Sequence, residues 1–123
     1  MDTKTFLETV LGDEGLYCVW ANRLSDKRRV QKFYPTLDAV VHTAAELDAD
    51  GYDAYFALGT FTEDGSREAP NVEQLRAFFL DLDCGQGKSY PTQAEALSAL
   101  RSFCKELSLP RPTVVNSGRG IHV

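Results

Sequence analysis

Two aspartates one residue apart, Asp81 and Asp83, lie at the end of the apolar stretch FFLDLDCG and are the residues best suited to chemistry. In a strand, alternation puts both on one face, with backbones about 7 Å apart. The apolar side chains predicted to face the helices are Phe78, Leu80 and Leu82. Two such carboxylates repel each other when ionised, and a cation between them relieves the repulsion. Mg²⁺ or Mn²⁺ suits these oxygen donors, but a simple turn cap before Gly85 stays open as an interpretation.

The next segment, CGQGKSY (84–90), contains two glycines and a lysine but does not form a P-loop. The Walker pattern requires glycine at position 82, where the sequence has leucine. Lys88 remains a candidate for binding a nucleotide phosphate, with a solvated loop lysine as the alternative.

A third segment, NSGRGIHV (116–123), combines close backbone approach with phosphate-binding side chains. Gly118 and Gly120 allow a ligand near the main chain. Arg119 offers a planar fork of donors for phosphate oxygens. His122 follows and is a candidate phosphate donor. A plain hairpin turn with a structural histidine is the alternative.

Together, the D-h-D strand (h, apolar) and the SGRGIH segment one helix later resemble the archaeo-eukaryotic primase superfamily, in its branch of phage and plasmid primase-polymerases. The resemblance covers residues 76–123. It implies that Asp81 and Asp83 are catalytic ligands of two divalent metal ions, Mg²⁺ or Mn²⁺. It also implies that His122 is a catalytic contact to the phosphates of the incoming nucleotide, assisted by Ser117 and Arg119.

The same resemblance implies a function in DNA replication: nucleotidyl transfer by a DNA primase or DNA-directed polymerase with an RRM-like core. The implied partners are nucleoside triphosphates, a single-stranded DNA template and a fused or separate helicase. A third family carboxylate would lie beyond residue 123, so we expect the N-terminal part of a catalytic module, truncated at its C-terminus. Two alternatives stay open: a noncatalytic RRM-like nucleic-acid-binding domain, and another metal-dependent phosphoesterase or nucleotidyltransferase.

Composition limits how such a protein holds nucleic acid. The chain has 123 residues, which predicts a single domain, and a net charge of −5 from 13 basic and 18 acidic residues. That balance excludes DNA binding by overall charge alone, so metal ions or a local basic patch must bind the phosphates. The basic cluster DKRRVQK (26–32) predicts either a solvated edge strand or, with Tyr34, a template contact.

No membrane-spanning run or signal peptide is recognisable, so a cytoplasmic location is expected. Three scattered cysteines, Cys18, Cys84 and Cys104, are predicted to be reduced thiols.

Hydrophobic periodicity and caps predict three helices at 3–11, 37–50 and 93–107, with Thr36 and Thr92 as the N-caps of the second and third. A further turn of helix is predicted at 72–76. The predicted strands are 16–22, 29–35, 52–61, 77–83, 113–118 and 120–123. The pattern indicates an α+β fold with a mixed or antiparallel sheet, whose helices pack on one face and leave the other free for a site.

Overall fold

The computed structural model describes residues 1–123 and has the predicted α+β class, with three helices and antiparallel sheets. The chain divides into two compact units, Met1–Ala77 and Phe78–Val123. The assignment of residues 1–123 to a single domain stays a prediction. None of the helices has the length and apolar character needed to cross a membrane.

The first unit is built on a three-stranded antiparallel sheet in the order β2-β1-β3. Its strands are β1 (Tyr17–Arg23), β2 (Arg28–Tyr34) and β3 (Asp53–Phe56). A hairpin turn joins β1 to β2, and Lys27 takes a left-handed conformation in it, with φ of 59°. Trp20 pairs with Gln31 on one side and with Tyr55 on the other, which fixes the register of all three strands.

Two helices, α1 (Thr3–Val10) and α2 (Leu37–Ala49), cover one face of this sheet. Each begins at a side chain that accepts a backbone N–H bond, Asp2 for α1 and Thr36 for α2, which satisfies donors of the first turn. The main apolar side chains buried in this unit are Leu7, Val10, Val19, Ala21, Leu37 and Val40. On the opposite face Cys18 is buried as well, and Phe33 packs edge-on against the ring of Phe61.

The predicted strand at 52–61 is wrong in its continuity. The chain leaves β3 after Phe56 and begins a separate strand, β4 (Thr60–Phe61). That strand pairs with β5 (Val72–Gln74), where a turn of helix was predicted. A short 3₁₀ turn, Ala69–Asn71, ends there, and pairing with β4 overrides the local helix preference.

The second unit combines a small antiparallel sheet, in the order β6-β8-β7, with one helix. The strands are β6 (Asp81–Asp83), β7 (Val115–Asn116) and β8 (Gly120–His122), and the helix is α3 (Gln93–Glu106). Thr92 caps α3 as predicted, with the Glu95 N–H donating to the Thr92 hydroxyl over 3.2 Å, but the Glu95 carboxylate accepts from that hydroxyl over 3.3 Å and not from the Thr92 N–H of a full capping box.

Part of the predicted packing in this unit is wrong. The predicted strand at 77–83 is short, since β6 begins only at Asp81 and its ladder extends back to a Leu80–Val123 pair. Residues 77–79 have no strand partner. Phe78 is fully exposed and Leu80 is 44% exposed, so neither lies against a helix as predicted, whereas Leu82 is half-buried.

Candidate functional site

The register of β6 and β8 brings the predicted acidic residues and the histidine together. Asp81 lies directly opposite His122, Leu82 opposite Ile121 and Asp83 opposite Gly120. Ile121 is 2% exposed, and β8 packs against α3. Because side chains alternate, this anchoring turns the two aspartates and the imidazole toward the other, open face of the sheet.

The three polar side chains of this face are well solvated. Their exposed fractions are 70% for Asp81, 63% for Asp83 and 58% for His122. Val115 of β7 pairs with His122 and therefore shares the same face. Sequence reasoning missed Val115, since an exposed valine in a two-residue strand carries no signal of its own. The face thus offers two carboxylates and an imidazole beside a small apolar side chain.

Each carboxylate has a basic neighbour. The Nε2 atom of His122 lies 3.6 Å from Oδ1 of Asp81, and the Nζ atom of Lys88 lies 3.5 Å from Oδ2 of Asp83. Both distances exceed those of good charge-assisted hydrogen bonds. Exposed pairs of this kind contribute about 0–1 kcal/mol. Both carboxylates can therefore exchange these neighbours for a better cation at small cost.

A glycine-containing turn follows β6 and determines where Lys88 lies. Gly85 and Gly87 both have left-handed backbones, with φ of 128° and 74°. The Gly85 N–H donates to the Tyr90 carbonyl over 2.9 Å, and the Lys88 N–H donates to the Gly85 carbonyl over 3.1 Å. This closed turn brings the lysine back beside Asp83.

A second turn, between β7 and β8, carries Ser117 and Arg119. The Ser117 N–H donates to the Gly120 carbonyl over 3.1 Å, and the Cys84 N–H donates to the Arg119 carbonyl over 3.3 Å. Both side chains are exposed, and neither forms a side-chain hydrogen bond or an ion pair. The two backbone hydrogen bonds put the turn at the end of the sheet where Asp83 pairs with Gly120.

Two residues that sequence reasoning missed hold this turn in place. The Asn116 side-chain oxygen accepts from the Gly118 N–H over 2.8 Å and from Gln93 Nε2 over 2.9 Å. Gln93 Nε2 also lies 3.3 Å from the Gly120 carbonyl. An asparagine two residues before a glycine is a signal for such a turn, whereas nothing in the sequence marks Gln93.

Gly120 is required by close packing of the two strands. A Cβ atom there would lie 2.5 Å from the Leu82 carbonyl oxygen, closer than real side chains approach. The glycine also leaves the position opposite Asp83 without a side chain.

The donor set fits a hard divalent cation. No three His, Cys, Asp or Glu side chains gather as a ready-made metal-binding group. Mg²⁺, however, is commonly held by one or two carboxylates, with water and substrate phosphates completing its octahedron. Asp81 and Asp83 supply two such carboxylates on one open face.

No family model matches the chain, and neither a curated protein nor a solved structure matches it. The chemistry of the site is therefore inferred from its own side chains. Those side chains are two carboxylates, one imidazole, one ammonium group and one guanidinium group, all in the second unit.

Proposed function

We propose that this chain carries out metal-dependent nucleotidyl transfer of the DNA primase-polymerase type. The observation that carries the proposal is the cross-strand pairing of Asp81 with His122, with Asp83 on the same open face. Carboxylates beside a phosphate-binding imidazole are the parts such a reaction needs. The three-stranded antiparallel sheet, with α3 on one face and the site on the other, is in keeping with an RRM-like core.

In this proposal Asp81 and Asp83 hold Mg²⁺ or Mn²⁺ as a two-metal site. Bound there, the metal ions would supply Lewis acidity to the phosphates and would neutralise the charge of the pyrophosphate. His122 donates to a phosphate oxygen of the incoming nucleoside triphosphate. Arg119 and Ser117, in the exposed turn, add donors to the same phosphates, and Lys88 moves from Asp83 to the triphosphate.

The reaction is the attack of a 3′-hydroxyl on the α-phosphate of the nucleotide, forming a phosphodiester bond and releasing pyrophosphate. In a chain of net charge −5, the bound cations also offset the charge that would otherwise repel a triphosphate. We infer a cytoplasmic role in DNA replication on a single-stranded template, alongside a fused or separate helicase.

Two other functions would use parts of the same structure. A metal-dependent phosphoesterase would need the same carboxylates and would release a nucleotide without extending a strand. A noncatalytic RRM-like domain would stack bases on sheet aromatics, whereas the β6–β8 face presents aspartates. Nucleotidyl transfer accounts best for that acidic pair together with the exposed, phosphate-suited turn.

The proposal is tested by incubating the protein with Mn²⁺, a primed single-stranded template and labelled nucleoside triphosphates. We expect Mn²⁺-dependent binding of the nucleotide in wild type and none in Asp81→Asn or Asp83→Asn, and extension of the primer by the module that also carries the third carboxylate. Hydrolysis of the triphosphate without extension would instead assign a phosphoesterase. A wild-type protein that shows no extension of the primer and no metal-dependent binding of the nucleotide would overturn the proposal.

A further inference from the structure

The face of the first unit's sheet that lies opposite the helices carries an aromatic pair. Trp20 of β1 and Tyr55 of β3 are cross-strand neighbours, with ring centroids 5.4 Å apart and planes tilted by 47°. Tyr55 is 52% exposed and Trp20 is half-buried. The helices cover the opposite face, where Val19 and Ala21 point. We call Trp20 and Tyr55 the aromatic shelf.

A guanidinium group lies over this aromatic shelf. The Cζ atom of Arg67 is 5.7 Å from the centroid of the Trp20 ring. Its Nε atom donates a 2.6 Å hydrogen bond to the Gln31 side-chain oxygen. Gln31 is the residue of β2 that pairs with Trp20. Arg67 forms no ion pair, so its terminal amino groups remain available to an anion.

The edge strand beside the aromatic shelf adds uncompensated positive charge. Arg29 lies two residues from Gln31 on β2 and therefore shares the face of the aromatic shelf. Lys27 is exposed in the turn of the same hairpin, whereas the exposed Lys32 pairs with Val19 and therefore belongs to the other face. None of these three basic residues forms an ion pair, although the chain as a whole is acidic. Asp53 is the acidic residue that the strands place on this face.

We propose that the aromatic shelf, with Arg67 and Arg29, binds single-stranded DNA. Unpaired bases stack on exposed aromatic rings, and the arginines contact the phosphates between them. A polyanion with free bases fits both features, whereas edge-strand cations that only prevent aggregation would need no aromatic neighbours. The choice of DNA rests on the proposed function, in which the template is single-stranded DNA.

This surface corrects one expectation from the sequence. One of the two interpretations of the basic cluster was a template contact assisted by Tyr34, but the pairing of Tyr34 with Tyr17 puts it on the helix-covered face. Its hydroxyl accepts a hydrogen bond from Thr43 of α2 over 2.9 Å. The exposed ring is that of Tyr55, which alternation on the short strand β3 did not single out.

Trp20 is the only tryptophan, so its fluorescence reports directly on the aromatic shelf. The protein is titrated with an oligothymidylate of about 12 nucleotides, in EDTA and without triphosphates. We expect the fluorescence to be quenched on binding. Tyr55→Ala should weaken binding about tenfold through lost stacking, whereas Tyr55→Phe, which keeps the ring, should bind as wild type does.

The charge contribution is tested with Arg29→Ala and a matched control on α3, Arg101→Ala. The plot of log K against log salt has a negative slope. Its magnitude should be smaller by about 0.7 in Arg29→Ala and unchanged in Arg101→Ala. Binding that is insensitive to both Tyr55→Ala and Arg29→Ala would overturn the inference. So would absence of quenching, or tighter binding of a duplex or of oligouridylate.

The result is separable from that of the proposed function, because the titration requires neither metal nor nucleotide. A protein that binds the oligonucleotide but lacks metal-dependent nucleotide binding would support DNA binding by the aromatic shelf and would contradict the proposed nucleotidyl transfer. The opposite pair of results would overturn the aromatic shelf alone.

Discussion

Asp81 and His122 face each other across two hydrogen-bonded strands, with His122 Nε2 3.6 Å from Asp81 Oδ1. The pairing depends on a buried neighbour, since Ile121 anchors β8 against α3 while the polar side chains turn outward. Backbone pairing therefore sets the distance between acid and base. This distance would let the imidazole donate a hydrogen bond to a ligand bound at the carboxylates.

Replacing His122 with alanine should weaken nucleotide binding more than metal binding. A charge-assisted hydrogen bond to a phosphate contributes about 1.5–3 kcal/mol, so we expect a loss of about tenfold or more in the affinity for a Mn²⁺–nucleotide complex. His42→Ala is the matched control, because His42 also lies near a carboxylate, 3.4 Å from Glu46 on α2. Equal effects of the two substitutions in equilibrium dialysis would speak against the role of His122.

Lys88 competes with metal for Asp83 in the proposed site. Lys88→Ala removes an exposed ion pair of about 0.2–1 kcal/mol, so Mn²⁺ without nucleotide should bind up to about fivefold more tightly. Binding of the triphosphate in the presence of Mn²⁺ should weaken. Lys105→Ala, an exposed lysine in the last turn of α3, is the control. Calorimetry that finds both affinities unchanged in Lys88→Ala would remove this lysine from the site.

Gly120→Ala should destabilise the second unit. The added Cβ would lie 2.5 Å from the Leu82 carbonyl, and relief by strand displacement costs about 1–3 kcal/mol. Gly118→Asn should be nearly neutral, because nothing lies within 4 Å of that position and asparagine tolerates its left-handed backbone. Urea unfolding compares the two variants. A Gly120→Ala protein as stable as wild type would show that β6 and β8 are not packed as described.

Asp26 should give the first unit part of its acid sensitivity. Its carboxylate accepts a 2.8 Å hydrogen bond from Arg23 Nη2, which lowers the pKa of Asp26 from 3.8 to about 2. A lowered pKa in the folded state stabilises the protein above pH 3.8, and this contribution is lost as the pH falls toward 2. Melting temperatures across this range should fall less steeply with acid in Asp26→Asn. Parallel curves for the variant and wild type would contradict the prediction.

The helices and their starting points could be predicted because their signals are local. Thr36 and Thr92 cap α2 and α3 as expected, and the predicted ends are within about a residue of those observed. The strands were harder, because β5 depends on pairing with β4 rather than on its own sequence. The three small sheets likewise reflect pairings that local patterns do not specify.

The candidate site was predictable in part for the same reason. Alternation along a short strand is enough to put Asp81 and Asp83 on one face, whereas the place of His122 beside them was expected only from the family resemblance. The contacts of Gln93 with Asn116 and of Lys88 with Asp83 depend on tertiary placement. The aromatic shelf was missed because Trp20 and Tyr55 belong to strands far apart in the sequence.

Metal-dependent nucleotide binding at Asp81 and Asp83 is the most direct test. A labelled nucleoside triphosphate, in ribo and deoxy forms, is titrated with and without Mn²⁺ into wild type and into Asp81→Asn, Asp83→Asn and the double variant. The exposed Asp48→Asn on α2 is the charge-matched control, and circular dichroism checks folding. We predict that Mn²⁺ promotes binding in wild type and in the control, and that each site substitution abolishes it without unfolding the protein. A double variant that binds the Mn²⁺–nucleotide complex as tightly as wild type would contradict the site.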